Sequence, residues 1–243
     1  QRLLVFLHRR AFKGLTSVIF QNADDRDFFE RNGLLSKASS SIVVSGSGVN
    51  LERYPEMPMP PSPMTFLMVA RLLKTKGVAE FASAARAFRK RHPEAQFRLV
   101  GWHEDQADFV SADDLADWQN SGDIVFVGSL RDVRPEIAAA SVVVLPSYYP
   151  EGIPRTLLEA LSTGRPIITT NTPGCRETVM DGENGYLIPP QSSTALLEAC
   201  LKVSDNFAQL SEMGQISRRL AETRFDVAKV NADILKTLKD GFT

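Results

Sequence analysis

Ser141-Val142-Val143-Val144-Leu145-Pro146-Ser147-Tyr148-Tyr149-Pro150-Glu151-Gly152-Ile153-Pro154-Arg155-Thr156-Leu157-Leu158-Glu159 is the stretch on which the fold turns. The run Ser141 to Leu145 is apolar and β-branched, which reads as a buried strand. Pro154 suits the first turn of a helix, where its missing N–H costs nothing. The segment is therefore strand, loop, helix. The turn before the helix can aim backbone N–H groups at an anion or an oxygen-rich ligand. Glu151 stands at that mouth, and Glu159 lies a little over one turn into the helix. An ionised carboxylate only accepts hydrogen bonds, and a sugar offers many hydroxyl donors. Alone, such a pair could be a loop acid and a solvated helix acid. The flanking strand, the prolines and the trailing Gly164-Arg165-Pro166 favour a site.

Outward from this segment the chain alternates apolar runs with amphipathic stretches, the pattern of an α/β protein with a doubly wound, Rossmann-like parallel sheet. Strands are expected at 17–20, 41–44, 65–69, 96–100, 123–127, 141–145, 166–169 and 186–188. Helices are expected at 23–31, 77–91, 105–118, 133–140, 154–162, 193–202, 206–223 and 227–239. Residues 55–63 hold five prolines, which favour an extended, semi-rigid linker. Before it stand two strands, too few for a domain. After it stand about six strand–helix units, enough for a complete doubly wound sheet.

Glu151-Gly152-Ile153-Pro154-Arg155-Thr156-Leu157-Leu158-Glu159, with Gly164-Arg165-Pro166 behind it, resembles the donor-site signature of the family 4 group of retaining, nucleotide-sugar-dependent glycosyltransferases of the GT-B fold. Val69-Ala70-Arg71-Leu72-Leu73-Lys74-Thr75-Lys76-Gly77 is similar to that family's Arg-x4-Lys-Gly element, whose cations hold the donor diphosphate. A strand-to-helix turn with two cations also favours an anion on physical grounds. Phe126-Val127-Gly128 resembles the family's turn at the nucleotide base, and Gly101-Trp102-His103 ends a strand where the resemblance implies residues near the nucleotide. His103 itself reads as an ordinary loop histidine. Thr172-Pro173-Gly174-Cys175 matches a segment bordering the sugar pocket, and Asp181 to Ile188 reads as a structural turn into a strand.

The resemblance implies a division of the chain. Residues 1–54 would be the tail of an N-terminal acceptor-side domain, 55–63 a linker, 64–225 the nucleotide-sugar-binding domain, and 226–243 a helix returning to the first domain. It implies catalytic roles for Arg71, Lys76 and Glu151, and donor contacts for Glu159, Gly152, Ile153, Pro154, Gly128 and Trp102. Glu151 would hold the donor sugar's hydroxyls and Glu159 those of the ribose. The cations would stabilise the departing diphosphate without a metal or other cofactor. The segment looks most like bacterial enzymes of polysaccharide or lipid-linked oligosaccharide synthesis, mostly users of UDP-sugars. Partners would be a nucleotide-sugar and a glycan or lipid-linked acceptor reached through the missing N-terminal domain. The protein would be cytoplasmic, with peripheral contact at the inner membrane face. A nucleotide-sugar epimerase of the same architecture and a non-catalytic nucleotide-sugar-binding module are the alternatives.

Composition excludes other classes. The 243 residues carry 28 basic and 29 acidic side chains, so no general attraction to nucleic acid follows. No apolar run reaches the length of a membrane span. The start, Gln1-Arg2-Leu3-Leu4-Val5, is too short and poorly flanked for a signal peptide, and a beginning without Met suggests a piece of a longer protein. Cys175 and Cys200 fit a reduced protein with buried thiols. Gly46-Ser47-Gly48 imitates a dinucleotide fingerprint, but its third position is Leu51 and a Pro-rich segment follows. Asp25-Arg26-Asp27 imitates an Asp-x-Asp metal motif. Helical residues two apart point about 200° apart, so the two acids could not share one ion.

Overall fold

The computed structural model describes residues 7, 10–12, 15, 17–35 and 40–240. Strands are β1 Ser17–Phe20, β2 Ser40–Val43, β3 Thr65–Val69, β4 Gln96–Val100, β5 Val125–Gly128, β6 Val142–Leu145, β7 Ile167–Thr170 and β8 Gly185–Ile188. Helices are α1 Ala23–Arg31, α2 Val78–Arg89, α3 Ala112–Asn120, α4 Arg134–Ala139, α5 Arg155–Ser162, α6 Ser193–Asp205, α7 Leu210–Leu220 and α8 Val227–Asp240. β3 to β8 form a six-stranded sheet in the order β5-β4-β3-β6-β7-β8, and every pairing in it is parallel. β1 and β2 pair separately, also in parallel.

The central strands are near-continuous apolar runs because helices cover both faces of a parallel sheet. Every residue of β6 is buried, as are Ile167 and Ile168 of β7. α5 lays Leu157, Leu158 and Leu161 against them, and α2 contributes Phe81 and Phe88. Phe66 stacks on Phe97 at 4.6 Å, with Phe88 meeting Phe66 edge-on at 5.2 Å. Each such side chain contributes about 1.5–3 kcal/mol by leaving water. Cys175 and Cys200 are free thiols in this interior.

Two expectations are corrected. The helix expected over 105–118 begins only at Ala112. Ser111 caps it by accepting the Asp114 N–H at 3.0 Å. Phe109 and Val110 are instead spent on bonding to the loop after β3, with the Val110 N–H donating to Leu72 O at 2.9 Å. Pro154 is not in the first turn: it is the extended residue ahead of α5, and its carbonyl accepts from Leu157 and Leu158. Within the Pro-rich segment, Pro58 O accepts from Arg165 Nη2 at 2.9 Å and Met57 N–H donates to Thr163 O at 3.2 Å.

Gly46 and Gly48, at φ of 63° and 68°, carry the chain from β2 toward the large sheet. A Cβ on Gly48 would lie 2.6 Å from Val227 Cα, so only glycine lets the connection touch the start of α8. Val49 and Val227 seal that contact: Val49 N–H donates to Phe225 O at 2.7 Å, and Val227 N–H to Val49 O at 3.0 Å.

Candidate functional site

β3 and β6 are neighbours, yet the chain leaves β3 toward β4 and leaves β6 toward β7 on the opposite side. The strand order reverses between them, and in open α/β sheets that point opens a crevice at the carboxyl ends of the strands. The loops after β3 and β6 meet there. Gly77, at φ 81°, has space only for a hydrogen, since a Cβ would fall 2.3 Å from Pro146 O. Tyr148 N–H donates to Thr75 O at 2.9 Å. This loop-to-loop contact brings Lys76 to Glu151.

Lys76 is 7% exposed and its Nζ forms an ion pair with Glu151 Oε1. Ser147 donates its hydroxyl to the same oxygen at 3.2 Å, and the Tyr149 N–H donates to Ser147 Oγ at 3.2 Å. The Tyr149 ring lies 4.9 Å from Lys76 Nζ and 5.8 Å from Arg71 Cζ. Its π face thus lies within attractive range of both cations. Arg71 is exposed, so one cation is rooted and the other is free to reach outward.

A cavity of about 550 Å³ opens beside Glu151, bordered by Asp25 and Phe29 of α1, Tyr149, Gly152, Thr172 and Pro173. Two close approaches hold its floor. A Cβ on Gly152 would lie 1.9 Å from Gln21 Oε1, and one on Gly174, at φ 79°, would lie 2.0 Å from Gly152 O. Ile153 is a buried plug against Gly46, so its side chain does not line the cavity.

Glu159 is elsewhere. It lines a second cavity of about 240 Å³ with Ser47, Asn50, Arg53, Tyr54 and Arg155. Its side chain is 12% exposed, and Arg155 Nη2 stands 3.9 Å from its Oε1. Burial raises its pKa, opposed by the nearby Tyr54 hydroxyl and by the Arg155 and Arg53 charges. Trp102, 49% exposed, meets Phe109 edge-on at the end of β4. Gly128, at φ 85°, ends β5, and its carbonyl accepts from Gly101 at 3.0 Å. The structure therefore joins Arg71, Lys76, Glu151 and Gly152, sets Trp102 and Gly128 on the β4–β5 side, and gives Glu159 its own cavity.

His103 is a loop residue with a ring nitrogen 2.9 Å from Val110 O. Asp25 accepts from Asn22 Nδ2 at 2.9 Å while Asp27 pairs with Arg26 at 2.7 Å, so the two acids have separate partners. Among the described residues no helix is long and apolar enough to cross a membrane. Sequence reasoning missed Ser147, Tyr149 and Tyr54. The first two stand in the quoted loop, but nothing local shows that Lys76 would arrive beside them.

Residues 63–206, well over half of the chain, match the family described as glycosyl transferases group 1. Curated relatives include the Campylobacter jejuni N,N'-diacetylbacillosaminyl-diphospho-undecaprenol alpha-1,3-N-acetylgalactosaminyltransferase, 28% identical over 206 residues, spanning 79% of this chain and 52% of that protein. The Escherichia coli UDP-Gal:alpha-D-GlcNAc-diphosphoundecaprenol alpha-1,3-galactosyltransferase is 26% identical over 241 residues, spanning 94% of this chain and 61% of that one. The chain thus spans about half the length of the first of these relatives. Its fold is shared with sucrose-phosphate synthase from Thermosynechococcus elongatus (TM-score 0.83, 24% identity, 100% of this chain and 62% of that one). It is shared too with Anabaena HepE, solved in complex with UDP (TM-score 0.82, 22% identity, 98% and 67%). The α/β sheet is that of the GT-B glycosyltransferases, and the chain belongs to the group 1 glycosyltransferases.

Proposed function

We propose that this chain is the donor-binding part of a retaining glycosyltransferase that takes a hexose or N-acetylhexosamine from a nucleotide-sugar, a UDP-sugar, to a polysaccharide or lipid-linked acceptor. The observation that carries this is the Lys76–Glu151 pair beside Arg71 at the switch point of the sheet. Transfer breaks the bond between the anomeric carbon and the diphosphate, and negative charge grows on the leaving phosphate oxygens. Fixed donors aimed at that charge are the largest available source of acceleration. Lys76 has three N–H donors, of which Glu151 takes one, leaving the others for phosphate. Arg71 supplies a second cation, its Cζ 5.8 Å from the Tyr149 ring. Glu151 accepts hydroxyls of the sugar in the larger cavity, and Glu159 accepts ribose hydroxyls. With two cations in place, the leaving group needs no metal.

Residues 64–225 form the donor domain in this reading, 55–63 the linker, 1–54 the tail of the N-terminal acceptor-side domain, and 226–243 a helix returning toward it. That domain brings the acceptor, so the site lies on the cytoplasmic side, with membrane contact made elsewhere in the full-length protein. A named relative uses UDP-Gal and a diphosphoundecaprenol acceptor, and a fold relative holds UDP, which supports this choice of substrates.

Calorimetric titration of the chain with UDP, GDP and their sugar conjugates in EDTA tests the proposal. Micromolar, metal-free binding of one nucleotide is expected, with no transfer by the chain alone. Absence of binding to every nucleotide, or binding only with a divalent ion, would overturn it. Tyr149 supplies a graded check. Tyr149→Ala should weaken nucleotide binding about fivefold, the loss of about 1 kcal/mol of cation–π attraction, while Tyr149→Phe keeps it. Equal losses in both would mean that the hydroxyl, not the ring face, does the work.

A further inference from the structure

Ser147 stands in the loop after β6, four residues ahead of Glu151, and is 0% exposed. A polar side chain shut away from water needs partners, and those of Ser147 run in two directions. Its carbonyl accepts from the Thr170 hydroxyl and, at 3.4 Å, from the Thr172 hydroxyl. Thr170 is the last residue of β7, itself buried, and its Oγ1 lies 2.9 Å from Thr172 Oγ1. The loop is therefore fastened to the carboxyl end of the neighbouring strand. The Ser147 hydroxyl accepts the Tyr149 N–H at 3.2 Å and donates to Glu151 Oε1 at 3.2 Å. Chemistry fixes that direction, because a backbone N–H only donates and an ionised carboxylate only accepts.

Lys76 Nζ and Ser147 Oγ take the same carboxylate oxygen, Oε1. Among the described residues Oε2 has no hydrogen-bond partner, and Glu151 borders the cavity of about 550 Å³. An ammonium alone would not orient the carboxylate. It is a compact charge with three rotatable donors, so it serves either oxygen from many angles. A second donor, held by the backbone, restrains the carboxylate plane and leaves Oε2 to accept from a ligand. A contact ordered before the ligand arrives costs less to make.

We propose that Ser147 is a positioning residue: its hydroxyl, locked to β7 through Thr170, sets the plane of the Glu151 carboxylate so that Oε2 meets a hydroxyl of the donor sugar. This rests on the assignment of Glu151 to the sugar. Being fully buried, Ser147 does not itself touch the ligand. The hold on the sugar then depends on the threonines of β7 and the loop after it, while the hold on the diphosphate does not.

The experiment is calorimetry of the intact chain with UDP, UDP-glucose, UDP-galactose and the two N-acetylhexosamine conjugates. Wild type, Ser147→Ala, Glu151→Ala and the double variant are compared, with thermal melts as a folding control. The readout is the dissociation constant of the tightest-binding conjugate divided by that of UDP, so that contacts to the diphosphate cancel. Ser147→Ala is expected to raise this ratio about tenfold, the worth of one hydrogen bond to a charged group, with UDP itself changed by less than about twofold. Adding Ser147→Ala to Glu151→Ala is expected to change the ratio no further, the non-additivity of residues that act through one another. A merely structural role would weaken UDP and its conjugates together and overturn the inference. So would additive losses in the double variant. A wild-type ratio in Ser147→Ala beside a raised one in Glu151→Ala would overturn it too, and leaves the sugar assignment standing. A wild-type ratio in Glu151→Ala removes that assignment, and the inference with it. Failure to bind any nucleotide removes the proposed function as well.

Discussion

Replacing Lys76 by methionine is expected to lower affinity for a nucleoside diphosphate about a hundredfold. The side chain is rooted by burial, so its ammonium is already desolvated and placed before a phosphate arrives. Truncating one partner of a buried, hydrogen-bonded charge pair costs about 3 kcal/mol, which is about a hundredfold in a dissociation constant. Arg71→Met is expected to cost less, because Arg71 is exposed and its charge is screened by water. Lys76→Arg should not restore binding. A planar guanidinium does not fit where a compact ammonium sits under Tyr149 and against Glu151. Calorimetry with UDP measures all three. Unchanged affinity in Lys76→Met would show that the cation serves only to neutralise Glu151, and the donor site would have to be placed elsewhere.

Arg165→Met is expected to destabilise the fold by about 3 kcal/mol, the loss of several hydrogen bonds from one buried charge. Arg165 is 0% exposed. Its guanidinium donates to Ile137 O at 3.1 Å, Ala138 O at 3.0 Å and Pro58 O at 2.9 Å. The first two are carbonyls at the end of α4, where a cation is favoured by the helix dipole. The third pins the Pro-rich segment. Burial lowers the Arg165 pKa to about 10, with the Glu56 charge opposing. The penalty is met by carbonyl dipoles rather than by a close carboxylate. Methionine would take a donor from all three carbonyls, of which Ile137 O is buried. For a chain of this size the midpoint of thermal unfolding should fall by about 6–12 °C. Arg165→Lys should recover little, because one ammonium cannot span both α4 and the Pro-rich segment. A midpoint within about 2 °C of wild type in Arg165→Met would mean that water replaces the lost donors and that the segment is not pinned by this residue.

Arg165 also marks the limit of what could be read from the chain. Gly164-Arg165-Pro166 was visible as a motif, but its partners, Pro58 and Ile137, are far off in sequence. Lys76 and Glu151 are the same case. Each looked like a ligand-facing group at the end of its own strand. Their pairing depends on Gly77 and Pro146 touching across two loops. Glu151 and Glu159 show the converse. Their spacing does not show that they line different cavities, Glu159 beside Tyr54 and Glu151 beside Tyr149.

The sequence by itself determined the elements and their kind. Thr65–Val69 and Gln96–Val100 were placed to the residue, because apolar and β-branched runs bounded by turn residues act over a few positions. It also determined the parallel sheet, since strands that alternate with helices must be joined by crossovers. Tertiary structure alone decided where the strand order reverses, which loops meet there, and which charges are neutralised in pairs. Those outcomes depend on contacts between residues 75 apart for Lys76 and Glu151, and 107 apart for Pro58 and Arg165. Local preference carries no information over such separations. They are settled when burial of the shared core brings distant loops within hydrogen-bonding range.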